Sequence, residues 1–216
     1  MRYKLVCFDV DGTLVDELKY IWGLMHEGLK IDMERVDKAR ERFFNGEITF
    51  REWAEHDINL WVERGVTKKD LIDVVKKLKL MPGAMETIHA LKKKGYMLAI
   101  ISGGLSIVLD YFMPNYEKLF DHIMINRLFF DKTGKISGIE PTEFGADNYK
   151  IDGLRSIAEK EGISLEECVF VGDSENDIEI AKGAGLSIGF NPNPKLAEVC
   201  DVIIKRKDLR EILRYV

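Results

Sequence analysis

Leu5 to Phe8 form an unbroken apolar run after Lys4, the signature of a strand buried on both faces. From there to about Leu80 the apolar residues recur every three or four positions with no convincing strand, as an inserted set of helices would show. Within that stretch Phe50, Trp53, Ala54, Ile58 and Trp61 share one helical face. Met81-Pro82-Gly83 ends the insertion, since proline restricts the residue before it and glycine frees the backbone.

Beyond this point strands and helices alternate. The pattern predicts a helix from Ala84 to Lys94, a strand from Met97 to Ile101, a helix after Gly104, a strand from His122 to Ile125 and a helix after Asn148. A strand from Cys168 to Val171, a helix from Glu175 to Lys182 and a strand from Leu186 to Ile188 complete the series. Residues Asn126 to Glu140 break the rhythm: Leu128-Phe129-Phe130 and Ile136 flank the turn signal Asp131-Lys132-Thr133-Gly134, as in a β-hairpin flap.

Alternation of this kind implies an α/β fold with a Rossmann-like parallel sheet covered by helices on both faces. Right-handed crossovers give the strand order 3-2-1-4-5. The expected division is a core of residues 1–14 and 81–216, with 15–80 as a small helical cap. Ligands of open α/β sheets bind beyond the carboxyl ends of the strands at the switch point. The loops after Phe8, Ile101 and Val171 should therefore carry the chemistry.

Composition narrows the function classes. The chain has 216 residues, 46% hydrophobic and 32% charged, with no apolar run of membrane-spanning length. A formal charge of −5 speaks against a general nucleic-acid partner, which needs a basic footprint. The N-terminus leads almost directly into the first strand with no long apolar leader, so a cytoplasmic location is expected. Cys7, Cys168 and Cys200 are scattered and fit neither a zinc site nor a disulfide framework. The lack of glutamine and the wealth of lysine and glutamate lean toward a hot-adapted source.

Three strand ends carry candidate chemistry. In Asp9-Val10-Asp11-Gly12-Thr13 an extended backbone turns Asp9 and Asp11 to one face, where two carboxylates call for a divalent cation or a split into acid and base roles. The same residues also suit a plain turn. Ser102-Gly103-Gly104 leads toward a helix whose free N–H groups would hold a phosphate, although serine there is equally a helix N-cap. In Gly172-Asp173-Ser174-Glu175-Asn176-Asp177, Asp173 and Asp177 lie four apart at a helix start and face the first pair. Such an oxygen-ligand cluster suits magnesium, while EF-hand spacing is absent. An acidic site needs a cation to bind phosphate. Lys150 is placed to supply it, with Lys132 and Lys135 as competitors. The tryptophans Trp22, Trp53 and Trp61 read as cap packing.

Taken together, these motifs resemble the haloacid dehalogenase superfamily, specifically its phosphatases with a helical C1-type cap between the first two motifs. The Ser-Gly-Gly loop, Asn126-Arg127-Leu128, Gly134 and Gly138 look like the phosphoserine phosphatase branch. The resemblance implies a nucleophilic Asp9 that forms an aspartyl-phosphate and an Asp11 that handles the protons. It further implies Mg2+ held by the Asp9 carboxylate, the Asp11 carbonyl and Asp173 with Asp177 in support, and phosphoryl oxygens held by Ser102, Gly103, Lys150 and Asn176. The expected partner is a small phosphorylated metabolite, and the expected assembly a monomer or homodimer. In that branch an acidic cap residue takes the substrate amino group and an arginine its carboxylate. Leu18 stands where the acid is expected, after Asp16 and Glu17, and Arg51 is the candidate carboxylate partner. A phosphomutase or phosphotransferase on the same scaffold is the alternative. A dehalogenase would lack the second aspartate, and a binding module would leave the catalytic set unexplained.

Overall fold

A computed structural model describes residues 2–142 and 148–216. In chain order its elements are β1 (Leu5–Phe8), β2 (Val15–Asp16), α1 (Ile21–Gly28), α2 (Met33–Phe44), α3 (Phe50–Glu63), α4 (Lys68–Val75), β3 (Lys79–Leu80), α5 (Ala84–Lys93) and β4 (Met97–Leu105). Then follow α6 (Ser106–Phe112), β5 (His122–Phe130), β6 (Ile136–Glu140), α7 (Tyr149–Glu161), β7 (Cys168–Gly172), α8 (Ile178–Gly183), β8 (Leu186–Phe190), α9 (Pro194–Ala197) and β9 (Val202–Ile204).

The sheet runs β6-β5-β4-β1-β7-β8-β9. Its five central strands are parallel in the expected order 3-2-1-4-5, with β1 paired to β4 on one side and β7 on the other. Strand side chains alternate between two cores. Val6, Phe8, Leu98 and Ile100 pack against α5, α6 and the C-terminal 3-10 segment, while Leu5, Cys7, Ala99 and Ile101 pack against α7, α8 and α9. Burial on both faces explains why β1 reads as a continuous apolar run.

Four expectations are corrected. First, β4 does not stop at Ile101 but continues through Ser102-Gly103-Gly104 to Leu105, and α6 begins only at Ser106. The Ser-Gly-Gly loop is thus an irregular strand end and no helix N-terminus, because the Asn126 amide donates to the carbonyls of Gly103 (2.8 Å) and Gly104 (2.9 Å) and Leu105 pairs with Asn126 across a register shift. Second, the third strand runs into the hairpin without a break, and β6 returns antiparallel along it, so the flap is an extension of the sheet. Third, the segment before Leu80 does contain strand: β2 and β3 pair as a two-stranded stalk where the inserted helices leave and rejoin the chain. Fourth, a 3-10 turn at Glu175–Asp177 precedes α8. Strand β9, at the edge beyond β8, adds to the expected set.

The insertion consists of α1 to α4. Thr49 with Glu52 and Thr67 with Asp70 form capping boxes that start α3 and α4. The apolar face of α3 buries Ala54, Ile58 and Trp61, which join Trp22, Met25, Leu71 and Val75 in a core continuous with one face of the sheet. Burial of each large side chain contributes about 1.5–3 kcal/mol. The hairpin turn is tied to the insertion, as Lys68 N–H donates to the Gly134 carbonyl at 2.8 Å and the Lys68 ammonium lies 5.3 Å from the Phe130 ring centroid.

Candidate active site

The carboxyl ends of β1, β4 and β7 meet beneath the inserted helices, as the strand order requires. Asp9 follows β1, and its N–H donates to the Val171 carbonyl at 3.0 Å, which ties it to the end of β7. Lys150, on the first turn of α7, is buried and places its ammonium 2.9 Å from Asp9 Oδ1 and 2.6 Å from Asp177 Oδ1. The other Asp177 oxygen accepts the N–H groups of Asp173 (2.9 Å) and Ser174 (3.0 Å). Asp177 thus holds the loop and the lysine at once. Lys132 and Lys135 lie exposed on the hairpin turn, so of the three candidate lysines Lys150 alone reaches the aspartates.

Asp11 is bound differently. Its Oδ2 accepts the N–H of Ile21, the first residue of α1, at 2.8 Å, and its Oδ1 is buried with no partner. A Cβ on Gly104 would lie 2.9 Å from that oxygen and 3.2 Å from Ser102 Oγ, so the glycine leaves Asp11 and Ser102 open to each other. Gly12 is required twice over: its φ is +77°, and a Cβ there would lie 2.2 Å from Asp173 Oδ2.

Burial and mutual repulsion dominate the electrostatics. Burial raises the Asp9 carboxyl, Asp177 raises it further, and the Lys150 ammonium opposes both. Burial and then the Asp9 charge push Asp11 up to about 7. Burial followed by Asp9 and Asp177 pushes Asp173 up to about 8. Burial pulls Lys150 down, but Asp177 and Asp9 outweigh it and leave the ammonium well above its ordinary value.

Carboxylate oxygens of Asp9, Asp173 and Asp177 lie within 4.8 Å of one another, and Asp173 Oδ1 is buried without a partner. Converging oxygen donors, an orphaned carboxylate oxygen and like charges resisting ionisation fit a divalent cation.

Above this floor opens a cavity of about 1450 Å³, lined below by Asp9, Asp11, Ser102, Gly103 and Lys150 and above by Tyr20, Trp22, Phe43, Trp53 and Asp57. Asn176 lies exposed at its rim. Arg51 does not line it. That side chain is exposed on α3 and lies 3.7 Å from Glu55, because its helical position points away from the face that carries Trp53 and Asp57. Leu18 is buried in the apolar core, and Asp16 pairs with Lys207.

Three further residues emerge only in three dimensions. The Trp22 indole N–H donates to the Gly103 carbonyl at 3.0 Å and joins cap to loop, so this tryptophan is more than packing. Tyr149 stands beside Gly103, where a Cβ would meet its hydroxyl at 3.0 Å, and burial pushes that phenol up to about 12. Asp57 is a buried carboxylate in the cap wall. Adjacency to Lys150 was the sole sequence signal for Tyr149. Trp22 and Asp57 carried none that distinguishes them from other helix positions.

Residues 3–185 match the family model for haloacid dehalogenase-like hydrolases, and the chain belongs to that family. A phosphoserine phosphatase of Methanocaldococcus jannaschii is 37% identical over 221 residues, covering 100% of this chain and 98% of the relative. A solved phospho-aspartyl intermediate analogue of phosphoserine phosphatase matches with TM-score 0.74 and 34% identity, covering 100% of both chains. A substrate-bound phosphoserine phosphatase complex gives TM-score 0.75 at 34% identity, covering 100% of this chain and 99% of the other. The chain is a phosphoric monoester hydrolase, and its relatives do not favour the mutase or phosphotransferase alternative.

Proposed function

We propose that this enzyme is a magnesium-dependent phosphatase of small phosphorylated metabolites, phosphoserine among them, with Asp9 as nucleophile and Asp11 as general acid and base. The observation that carries the reading is the Lys150 ammonium buried between Asp9 and Asp177, with the unpartnered Asp11 oxygen facing Ser102 across Gly104. An Asp9 oxygen attacks phosphorus, the bond from phosphorus to the alcohol oxygen breaks, and protonated Asp11 gives its proton to the leaving alkoxide. Asp11, now ionised, takes a proton from water as that water attacks the aspartyl-phosphate, which releases phosphate and restores Asp9. A carboxyl held at about 7 suits both halves of this cycle.

Ser102, Gly103 and Lys150 hold the phosphoryl oxygens, with Asn176 as a contact from the rim. Asp9, Asp173 and the Asp11 carbonyl, supported by Asp177, would hold Mg2+, which when bound supplies positive charge against the phosphoryl oxygens. Residues 15–80 act as the cap over a core of 1–14 and 81–216. No helix among the described residues is long and apolar enough to cross a membrane. We place the enzyme in the cytoplasm as a monomer or homodimer.

A screen of phosphorylated metabolites, phosphoserine included, with magnesium and with wild type beside Asp9→Asn, tests the reading. Phosphate release by wild type and none by the variant is the expected result. Release that is equal in the two proteins would refute the role of Asp9.

A further inference from the structure

The cap wall of the cavity contains one buried charged side chain, Asp57 on α3. Its two oxygens are held by imidazoles, Oδ2 at 3.1 Å from His26 Nε2 and Oδ1 at 3.0 Å from His56 Nδ1. The Trp61 indole N–H, which can only donate, points at His26 Nδ1 at 3.1 Å. That contact fixes the tautomer: Nδ1 accepts, so Nε2 carries the proton and donates to Asp57. The chain of bonds orients the carboxylate without cancelling its charge.

Among the described residues no lysine or arginine lies within ion-pair distance of Asp57, and the cationic side chains Arg40 and Lys195 at the cavity edge already pair with Asp37 (3.3 Å) and Glu175 (2.9 Å). A buried anion without a cation is costly unless a ligand completes it. Its surroundings on the wall are aromatic. Trp53, one helical turn before Asp57 and on the same face, stacks on Phe43 with ring centroids 4.8 Å apart, and Tyr20 and Trp22 line the cavity beside them. Aromatic faces attract cations, and a carboxylate among them adds full charge to that attraction. A second observation also points to a polar occupant, since the Trp53 indole N–H is buried with no partner and an all-apolar ligand would leave it so. The Tyr20 hydroxyl is held above its usual range by burial and then by Asp57 and Asp11, which places the phenol between the cap carboxylate and the catalytic floor.

We propose that Asp57 and the aromatic wall around it select phosphomonoesters whose alcohol portion carries an ammonium group. The inference rests on the phosphatase reading and names the substrate class for the same site. The ammonium takes no part in bond making or breaking; it binds while phosphoryl transfer proceeds at Asp9.

The test compares kcat/KM for 2-aminoethyl phosphate and its uncharged counterpart ethyl phosphate, in wild type and in Asp57→Asn, with p-nitrophenyl phosphate as a third ester. Wild type should prefer the ammonium ester by roughly 10- to 100-fold, the worth of a charged hydrogen bond. Asp57→Asn should bring the ratio to within about threefold of unity, and the variant's own ratio corrects for the difference between the two leaving groups. A wild type that treats the two esters alike overturns the inference, as does a variant that keeps the preference. The wild-type ratio needs no variant, so a poorly folding Asp57→Asn still leaves the inference open to refutation. No turnover of any of the three esters by wild type with magnesium would instead overturn the phosphatase reading, and this inference with it.

Discussion

The floor and the wall of the cavity are built on opposite principles. On the floor every charged group comes from a strand end or the first turn of a helix, is buried, and is fixed by neighbours: Lys150 between two aspartates, Asp177 under two N–H groups, Asp11 against the start of α1. The wall is mostly helix surface, aromatic and open, with Tyr20 48% and Phe44 72% exposed. Reaction chemistry needs fixed charges in low dielectric, whereas substrate choice needs shape and one or two polar contacts. A change on the floor should therefore damage turnover with every phosphate ester, and a change in the wall should separate one ester from another.

The sharpest break in this contrast is Asp9→Asn. It should lower turnover of all esters by at least about a thousandfold, since no other carboxylate is placed to take the phosphoryl group. Phosphate-release kinetics on two unrelated esters check this, and a loss confined to one ester would contradict it.

Lys150→Met comes next. Removing the cation leaves Asp9 and Asp177 buried without compensation, for an expected stability loss of about 3–5 kcal/mol and a fall in kcat/KM of roughly a hundredfold. Urea denaturation and steady-state kinetics measure the two effects, and a variant as stable as wild type would count against the buried pairing.

Magnesium should matter more as pH rises. With Asp11 raised to about 7 and Asp173 to about 8 from an ordinary 3.8, the metal-free folded protein binds more protons than the unfolded chain in between. Their contribution to stability is thus fully present below about pH 4 and is lost as pH rises through the folded values. The ion binds ionised carboxylates, so its gain should be larger at pH 8 than at pH 5. At about 100 times Kd it is worth about 2.7 kcal/mol, or roughly 5 to 10 °C in Tm for a chain of this size. Equal gains at the two pH values in thermal melts would contradict the assignment.

The mildest effect belongs to the join between wall and floor. Trp22→Phe removes the N–H that meets the Gly103 carbonyl and should cost about 1 kcal/mol of stability while raising KM a few-fold. A larger fall in kcat than rise in KM would place Trp22 with the floor.

The floor was far more legible in the sequence than the wall. Asp9, Asp11, Ser102, Lys150, Asp173 and Asp177 stand at strand ends that alternation alone orders around β1, and the structure brings them together. What the motif left open was the local backbone. Ser102-Gly103-Gly104 reads as the start of a helix, yet Asn126, over twenty residues on, bonds its carbonyls and keeps it in the sheet. In the cap, periodicity marks a buried stripe without saying which residues beside it face the cavity, and so Arg51 looked as eligible as Asp57.

By itself, then, the sequence determined the parallel core, the insertion and the convergence of carboxylates on one point, because these follow from strand period, crossover handedness and motif order. Only the tertiary structure decided which cap residues line the cavity, that Asp57 is buried against His26 and His56, and that Trp22 reaches Gly103. A helix shows its neighbours one face or another according to how it packs, and that rotation is set by contacts between segments far apart in the chain.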